Sequence, residues 1–324
     1  MRRVTALTAA VLALVLTACG SSENVTPEAN GSAAAQPVSL TDARNKKLDL
    51  PAPAAKVVGL EWGVVENLIT LGVMPVGVAD TLGYTTWVSA AKLDPSVKDM
   101  GTRGEASVDA IVALNPDLVI VTTDESASTI AQIEKAAPVL VVRGADAANA
   151  IPQMRKNLEL IAQAVGKTDK ATTVLADFDK ALADGKQKIA DAGKAGGAFT
   201  MADGYKQGST ISIRMFTTGS LLGAVTTELG LKNSWTGAGD KDYGLAQTDI
   251  EGLTKLPDGD FLYIASKADG GDVFGEDLAK NAIWKNLPFV KSGRVHRLSD
   301  GIWMFGGPLS TQQFIDATVQ AVTS

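Results

Sequence analysis

Thiols and imidazoles are almost absent from this 324-residue chain, which has one cysteine, Cys19, and one histidine, His296. A lone thiol leaves nothing for a disulfide framework or a cysteine-held metal, and one histidine cannot build a multi-imidazole metal centre. Catalytic signatures are missing too. There is no Gly-x-Ser-x-Gly elbow, no phosphate-binding P-loop and no dinucleotide glycine fingerprint, and a single histidine would have to serve any triad. No basic cluster occurs beyond the extreme N-terminus, and a net charge of -6 argues against nucleic acid as a partner. The apolar stretch from Ala6 to Leu16, about 11 residues, is too short to span a bilayer. Aromatics make up only 5% of the chain, with five Trp and four Tyr, so the places where rings gather carry information.

The N-terminus has its own logic. Arg2 and Arg3 precede the apolar stretch, which runs into Leu16-Thr17-Ala18-Cys19. That order reads as a secretion signal over residues 1–18. LTAC resembles a bacterial lipobox, which implies cleavage before Cys19 and a diacylglycerol on its thiol. Beyond Cys19, residues up to 36 are mostly Ser, Ala, Asn, Pro, Glu and Gly, so that 19–36 reads as a lipidated and flexible tether with little to bury. The remainder is globular in composition, 45% hydrophobic and 20% charged, and long enough for two domains. The mature protein is therefore expected outside the cytoplasmic membrane, held to it by lipid.

Short apolar strands and helices alternate through the body. Lys56–Leu60 and Pro75–Ala79 read as strands flanking a helix over Val64–Leu71, and LVIV at Leu118–Val121 is apolar enough to be covered on both faces. The pattern predicts an α/β fold with a mainly parallel sheet. Helical spacing then persists from Thr168 to about Ala192, roughly 36 Å at 1.5 Å per residue, long enough for a strut between lobes. The strand pattern resumes at Phe199. Val108-Asp109-Ala110-Ile111 through Leu118 is echoed by Ile250-Glu251-Gly252-Leu253 through Phe261, which points to two like lobes facing a cleft. The boundaries that follow are 37–167 for the N-terminal lobe, 168–192 for the linking helix and 193–324 for the C-terminal lobe.

The segment VGVADTLGYTTWVSAAKLDPSVKDMGTRGE, residues 76–105, departs from generic scaffold. It opens on a buried strand, carries Tyr84 and Trp87, and closes on Arg103 between glycine-flanked neighbours. Rings offer flat apolar area and a guanidinium fork grips an oxygen-rich group, the makings of a ligand mouth.

Six motifs, VVGLEW (57–62), VGVADTLGYTTWVS (76–89), GTRGE (101–105), LKNSWTG (231–237), LPFVKSGRVHRL (287–298) and WMFGGPLS (303–310), give the chain a resemblance along most of residues 55 to 320. It resembles the siderophore-binding proteins of bacterial ABC importers, and within them the ferric-hydroxamate binders of the ferrichrome and ferrioxamine type. The resemblance implies two Rossmann-like α/β lobes joined by one long helix, an iron(III)–siderophore complex as ligand in the cleft between them, no catalysis, no cofactor and no protein-held metal. It implies an ABC permease with its ATPase as partners, and a monomer in solution. Trp87, Arg103, Trp235 and Trp303 fall on pocket positions, with Arg103 reaching the hydroxamate oxygens. Relatives carry an aromatic near the strand end Thr122–Ser126 where this chain has none, and Tyr84 or Tyr205 could supply the missing ring.

Other residues are read with alternatives open. Trp62 follows a buried strand and is either core or cleft wall. Arg214, in the strand ISIRMF, either faces the ligand or pairs with a buried acid. Of Met304 and Phe305, Phe305 is preferred for the cleft, and Tyr243 sits in a glycine-rich loop able to close over a ligand. Trp284 is assigned to packing and His296 to a strand surface. A ferric trihydroxamate is neutral or singly positive, so aromatic walls with one or two donors suit it; a tris-catecholate carries three negative charges and needs several cations. Alternative cargoes are a catecholate complex, haem through Tyr84 or Tyr205, or a cobalamin, and a different class altogether is an adhesive lipoprotein or enzyme subunit. Asp109 and Glu251 begin matched helices, and the resemblance implies that they dock the permease; helix-dipole acids are the plainer alternative.

Overall fold

The computed structural model describes residues 36–324 apart from 209 and 267–269. The signal segment, most of the tether and Cys19 lie outside the described residues. The N-terminal lobe starts with an antiparallel hairpin, β1 (Val38–Thr41) and β2 (Lys47–Leu50), whose Leu40 and Leu50 enter the core. Then come β3 (Val57–Gly59), α1 (Trp62–Thr70), β4 (Gly77–Val78), α2 (Thr81–Trp87) and β5 (Lys98–Asp99). A second small hairpin, β6 (Gly101–Thr102) and β7 (Glu105–Ala106), leads into α3 (Val108–Ala113), β8 (Leu118–Thr122), α4 (Ala127–Ile133), β9 (Val139–Val142) and α5 (Ala150–Ala164).

The five-stranded sheet runs β5-β4-β3-β8-β9 with every pairing parallel. Successive residues of its strands feed opposite cores, as the two-residue period of a strand requires. Val57, Leu118, Ile120 and Leu140 join one cluster, while Val58, Val119, Val121 and Val139 join another. This is why LVIV has no polar face.

Helix α6 (Thr168–Asp191) spans 24 residues. Its first turns place Ala171, Val174 and Leu175 in the N-terminal core, and further along Phe178 and Ile189 belong to the core of the second lobe. Gly185 allows a close crossing, because a Cβ there would meet Leu229 Cδ2 at 2.8 Å. One rigid element thus carries side chains of both hydrophobic cores.

The second lobe comprises β10 (Ala198–Gln207), β11 (Thr210–Phe216), α7 (Leu221–Glu228), β12 (Lys232–Asn233), β13 (Leu245–Thr248), α8 (Ile250–Leu253) and β14 (Asp260–Ile264). It ends with α9 (Ala282–Asn286), α10 (Pro288–Lys291), β15 (Val295–Arg297) and α11 (Pro308–Thr323). Its sheet runs β13-β11-β10-β14-β15, with β12 also on β10. The β10–β14, β14–β15 and β10–β12 pairings are parallel, and an antiparallel hairpin, β10–β11, extended by β13, is added at one side. That hairpin carries Tyr205 and Arg214 towards the other lobe.

The lobes are joined by more than α6. Glu66 of α1 is fully buried and accepts hydrogen bonds from the backbone N–H of Ser310 (2.9 Å) and from its hydroxyl (2.7 Å). The residue preceding α11 is Gly307, which has no side chain to cap the helix. A carboxylate from the opposite lobe fills that role, at the helix end where free N–H groups and the positive pole of the dipole favour an anion. Burial pushes the Glu66 carboxyl above the ordinary range, against the pull of these hydrogen bonds. Among the described residues no helix is long and apolar enough to cross a membrane.

Candidate functional site: an aromatic cleft between the lobes

A cleft of about 590 Å³ opens between the lobes, with Trp62, Trp87 and Arg103 on the N-terminal side and Tyr205, Arg214, Trp303 and Phe305 on the other. Local structure explains each placement. Asp80 sits in the left-handed region (φ 55°) and accepts from the N–H of Gly83 at 2.9 Å, which starts α2 and delivers Trp87 at its end. Arg103 and Gly104 are the two residues joining β6 to β7. Gly104 has φ +85°, a conformation the third residue of such a turn needs and side-chain-bearing residues avoid, so the arginine is held out at the tip.

The floor is built of indole. Trp62 meets Trp303 edge-on with ring centroids 4.9 Å apart, and Trp87 lies 6.2 Å from Trp303. The Arg103 guanidinium rests over both lobes' rings, 4.3 Å from the Trp62 centroid and 5.3 Å from that of Trp303. Its Nη1 donates to the two carboxylate oxygens of Glu61 at 3.2 and 3.3 Å. Phe305 continues the wall, edge-on to Trp303 at 5.2 Å and stacked near Phe216 at 6.2 Å.

Among the described residues, each cation lining the cleft has a carboxylate partner. Arg103 pairs with Glu61, Arg214 with Asp203, and Lys206, which also lines the cleft, with Asp277 at 2.7 Å. Arg214 and Asp203 are direct cross-strand partners in the β10–β11 register, and the arginine Nε donates at 2.9 Å. Burial pushes the Glu61 carboxyl upward, and Arg103 opposes that shift. Arg214 both pairs with a buried acid and lines the cleft, and Trp62, only 4% exposed, lies at its floor. Met304 lines the cleft as well as Phe305.

Two residues expected at the cleft stand elsewhere. Tyr84, expected as a cleft ring or axial ligand, is fully buried and donates its hydroxyl hydrogen bond to the Ala91 carbonyl at 2.7 Å. It lies three residues before Trp87 on a short helix whose inward side packs against Val65 and Val78, so it belongs to the core. Trp235, also expected in the pocket, packs against the cluster containing Ala202, Ile213 and Phe261, on the sheet face away from α6 and α11. The Asn233 side chain accepts from the Trp235 backbone N–H at 3.0 Å, bracing the turn that precedes the indole. His296, expected as a strand surface residue, is partly exposed on β15 and lies 2.9 Å from the buried Asp260 carboxylate, which Arg294 also grips at 2.8 Å. Burial alone would raise Asp260; these two partners outweigh it and hold the carboxyl below the usual range.

The strand end at Thr122–Ser126 is furnished from the opposite lobe. Tyr243 reaches across and donates to the Asp124 carboxylate, with its ring edge-on to Phe305 at 5.4 Å. Burial and that acidic partner raise the phenol well above its ordinary range. Behind Phe305 and Tyr243 a small cavity of about 60 Å³ reaches Asn67, far below what an iron chelate needs. Asp109 and Glu251 are exposed in the first turns of α3 and α8, helices capped by Ser107 and Asp249 and leading into β8 and β14. Among the described residues no group of three or more His, Cys, Asp or Glu could hold a metal ion.

Sequence reading passed over Glu61, Asp203 and Lys206. Glu61 precedes Trp62 directly, and Asp203 shares a strand face with Tyr205, so each was adjacent to a residue already singled out. What the sequence does not supply is the register that brings Asp203 opposite Arg214.

Comparison with known proteins places this geometry in context. The sequence model of the periplasmic binding proteins matches residues 57–300. The chain is 30% identical over 318 residues to the iron(3+)-hydroxamate-binding protein FhuD of Bacillus subtilis, covering 97% of this chain and 96% of that one. It is 29% identical over 321 residues to the probable siderophore-binding lipoprotein YfiY of the same organism, covering 93% and 92%. Among solved structures, the Fe3+–Desferal-bound siderophore-binding protein FhuD of Vibrio cholerae superposes with a TM-score of 0.75 at 25% identity, covering 83% of this chain and 98% of that one.

Proposed function

Because the chain belongs to the periplasmic binding protein family, we propose that it captures a ferric siderophore outside the cell membrane and delivers it to an ABC importer. It is a solute-binding protein and not an enzyme. Within that role the cargo is a ferric hydroxamate, of the ferrioxamine or ferrichrome type. The observation that carries this choice is the pairing of every cation lining the cleft, among the described residues, with a carboxylate. Among the described residues such a lining offers no unpaired cation to a trianionic complex, and its indole and phenyl walls suit a neutral or singly positive one. The relatives named for hydroxamate binding lend support.

In this reading the lobes 37–167 and 193–324 close on the complex while the helix at 168–192 keeps their motion small. Arg103 leaves Glu61 in part to donate to the oxygens around iron, and Trp62, Trp87, Trp303 and Phe305 enclose the chelate. The chain is anchored by lipid at Cys19 and acts as a monomer, with Asp109 and Glu251 meeting the permease. Titration with ferric desferrioxamine tests the proposal. Indole emission overlaps the absorption of the iron complex, so fluorescence should be quenched to saturation; unchanged emission with no thermal shift would refute it.

A further inference from the structure

We propose that Glu61 and Asp203 are charge selectors that exclude strongly anionic iron chelates from the cleft. The inference rests on reading the cleft as an iron–siderophore site and names the residues that set which siderophores it admits.

Both guanidinium groups of the cleft are neutralised in place. Arg103 Nη1 contacts the two oxygens of Glu61 at 3.2 and 3.3 Å, and Arg214 faces Asp203 directly across the β10–β11 ladder. Asp203 is only 6% exposed and sits within a strand paired on both sides, so it cannot swing into solvent when a ligand arrives. The Glu61 side chain is 22% exposed at the start of α1, held between the leading strand and the indole floor. A trianionic chelate entering this space would give up its hydration and meet ion pairs whose fields cancel at a distance, with fixed carboxylates beside each donor. A neutral or monocationic complex gives up far less and gains the aromatic wall. Discrimination of this kind comes from a repulsive element built against the wrong ligand as much as from contacts to the right one.

Orientation is the competing role, since a carboxylate also steadies its arginine, and the two roles predict opposite results. Wild type, Glu61→Gln, Asp203→Asn and the double variant would be titrated by Trp quenching with ferric enterobactin, a tris-catecholate of charge three minus, and with ferric desferrioxamine. Charge selection predicts that Glu61→Gln binds the catecholate at least tenfold more tightly than wild type, about 1.4 kcal/mol. It also predicts that affinity for the singly positive ferric desferrioxamine moves the other way, falling about twofold, and that both changes shrink with added salt. Unchanged or weaker catecholate binding overturns the inference and assigns the carboxylates to orientation alone. Glu61→Gln decides the matter even if Asp203→Asn, at a buried position, fails to fold. The variant-to-wild-type ratio on the catecholate tests selection, whereas failure of wild type on ferric desferrioxamine refutes the proposed cargo; the two outcomes are read from separate titrations.

Discussion

Replacing Arg103 with alanine is the perturbation whose size follows most directly from the structure. The guanidinium is 38% exposed, lies over two indole rings and has one amino group shared between the Glu61 oxygens. A charge-assisted hydrogen bond to a ligand oxygen contributes about 1.5–3 kcal/mol. Part of that is offset in wild type, because binding weakens the existing contact to Glu61, an exposed-type ion pair worth under about 1 kcal/mol. A net loss near 2 kcal/mol is expected, a roughly 30-fold rise in Kd. The loss should depend on ligand charge. Without Arg103 the Glu61 carboxylate is left uncompensated, which attracts a monocationic complex such as ferric desferrioxamine and does nothing for neutral ferrichrome. Arg103→Ala should therefore cost more affinity for ferrichrome than for ferric desferrioxamine, and adding Glu61→Gln should remove that difference. Quenching titrations of the two ligands against wild type and both variants provide the numbers. A Kd for ferrichrome within threefold of wild type would show that the guanidinium never touches the oxygens around iron. Folding stability should change by less than about 1 kcal/mol, since the ion pair is partly exposed.

Trp303→Leu should weaken ligand binding tenfold or more and reduce maximal quenching, because Trp303 touches Trp62, Trp87 and Phe305 at once; unchanged binding would move the chelate away from this floor. Charge reversal at both Asp109 and Glu251 should abolish iron–siderophore uptake in cells while ligand affinity in vitro stays at the wild-type value. A fall in affinity would point instead to a role in folding or in the cleft. Glu66→Gln tests the joint between lobes through pH. The folded carboxyl is raised above its ordinary 4.5, so between the unfolded and folded values the native state holds the extra proton, and stability falls as pH rises through that window. The slope reaches at most about 1.4 kcal/mol per pH unit for one group. Denaturant unfolding of Glu66→Gln relative to wild type should show the variant gaining ground as pH rises, and parallel curves would refute the assignment.

Much of the architecture was legible because burial on both faces leaves a direct trace in composition. LVIV read as a strand covered on both sides, and α6 announced itself by Val174, Leu175, Phe178, Leu182 and Ile189 at helical spacing. Helix α2 was not foreseen; TLGYTTW contains a glycine and three threonines, poor helix formers, and the helix depends on the Asp80 cap and on tertiary packing of Tyr84. The indoles illustrate the same limit at the site. Trp303 and Trp235 each lie in a short motif beside glycines, yet one lines the cleft and the other packs against the cluster of Ala202, Ile213 and Phe261. Lone residues in loops carry no periodicity, so their direction is set by contacts distant in sequence.

The bond between Glu66 and Ser310 joins positions 244 residues apart. An emerging chain can assemble its first sheet early, but α1 then presents a carboxylate to an apolar surface with no donor to meet it. Only the final sixteen-residue helix supplies that donor. Maturation of the first half accordingly waits on the last stretch to arrive, and a truncation that removes only the tail should loosen structure at the opposite end of the sequence.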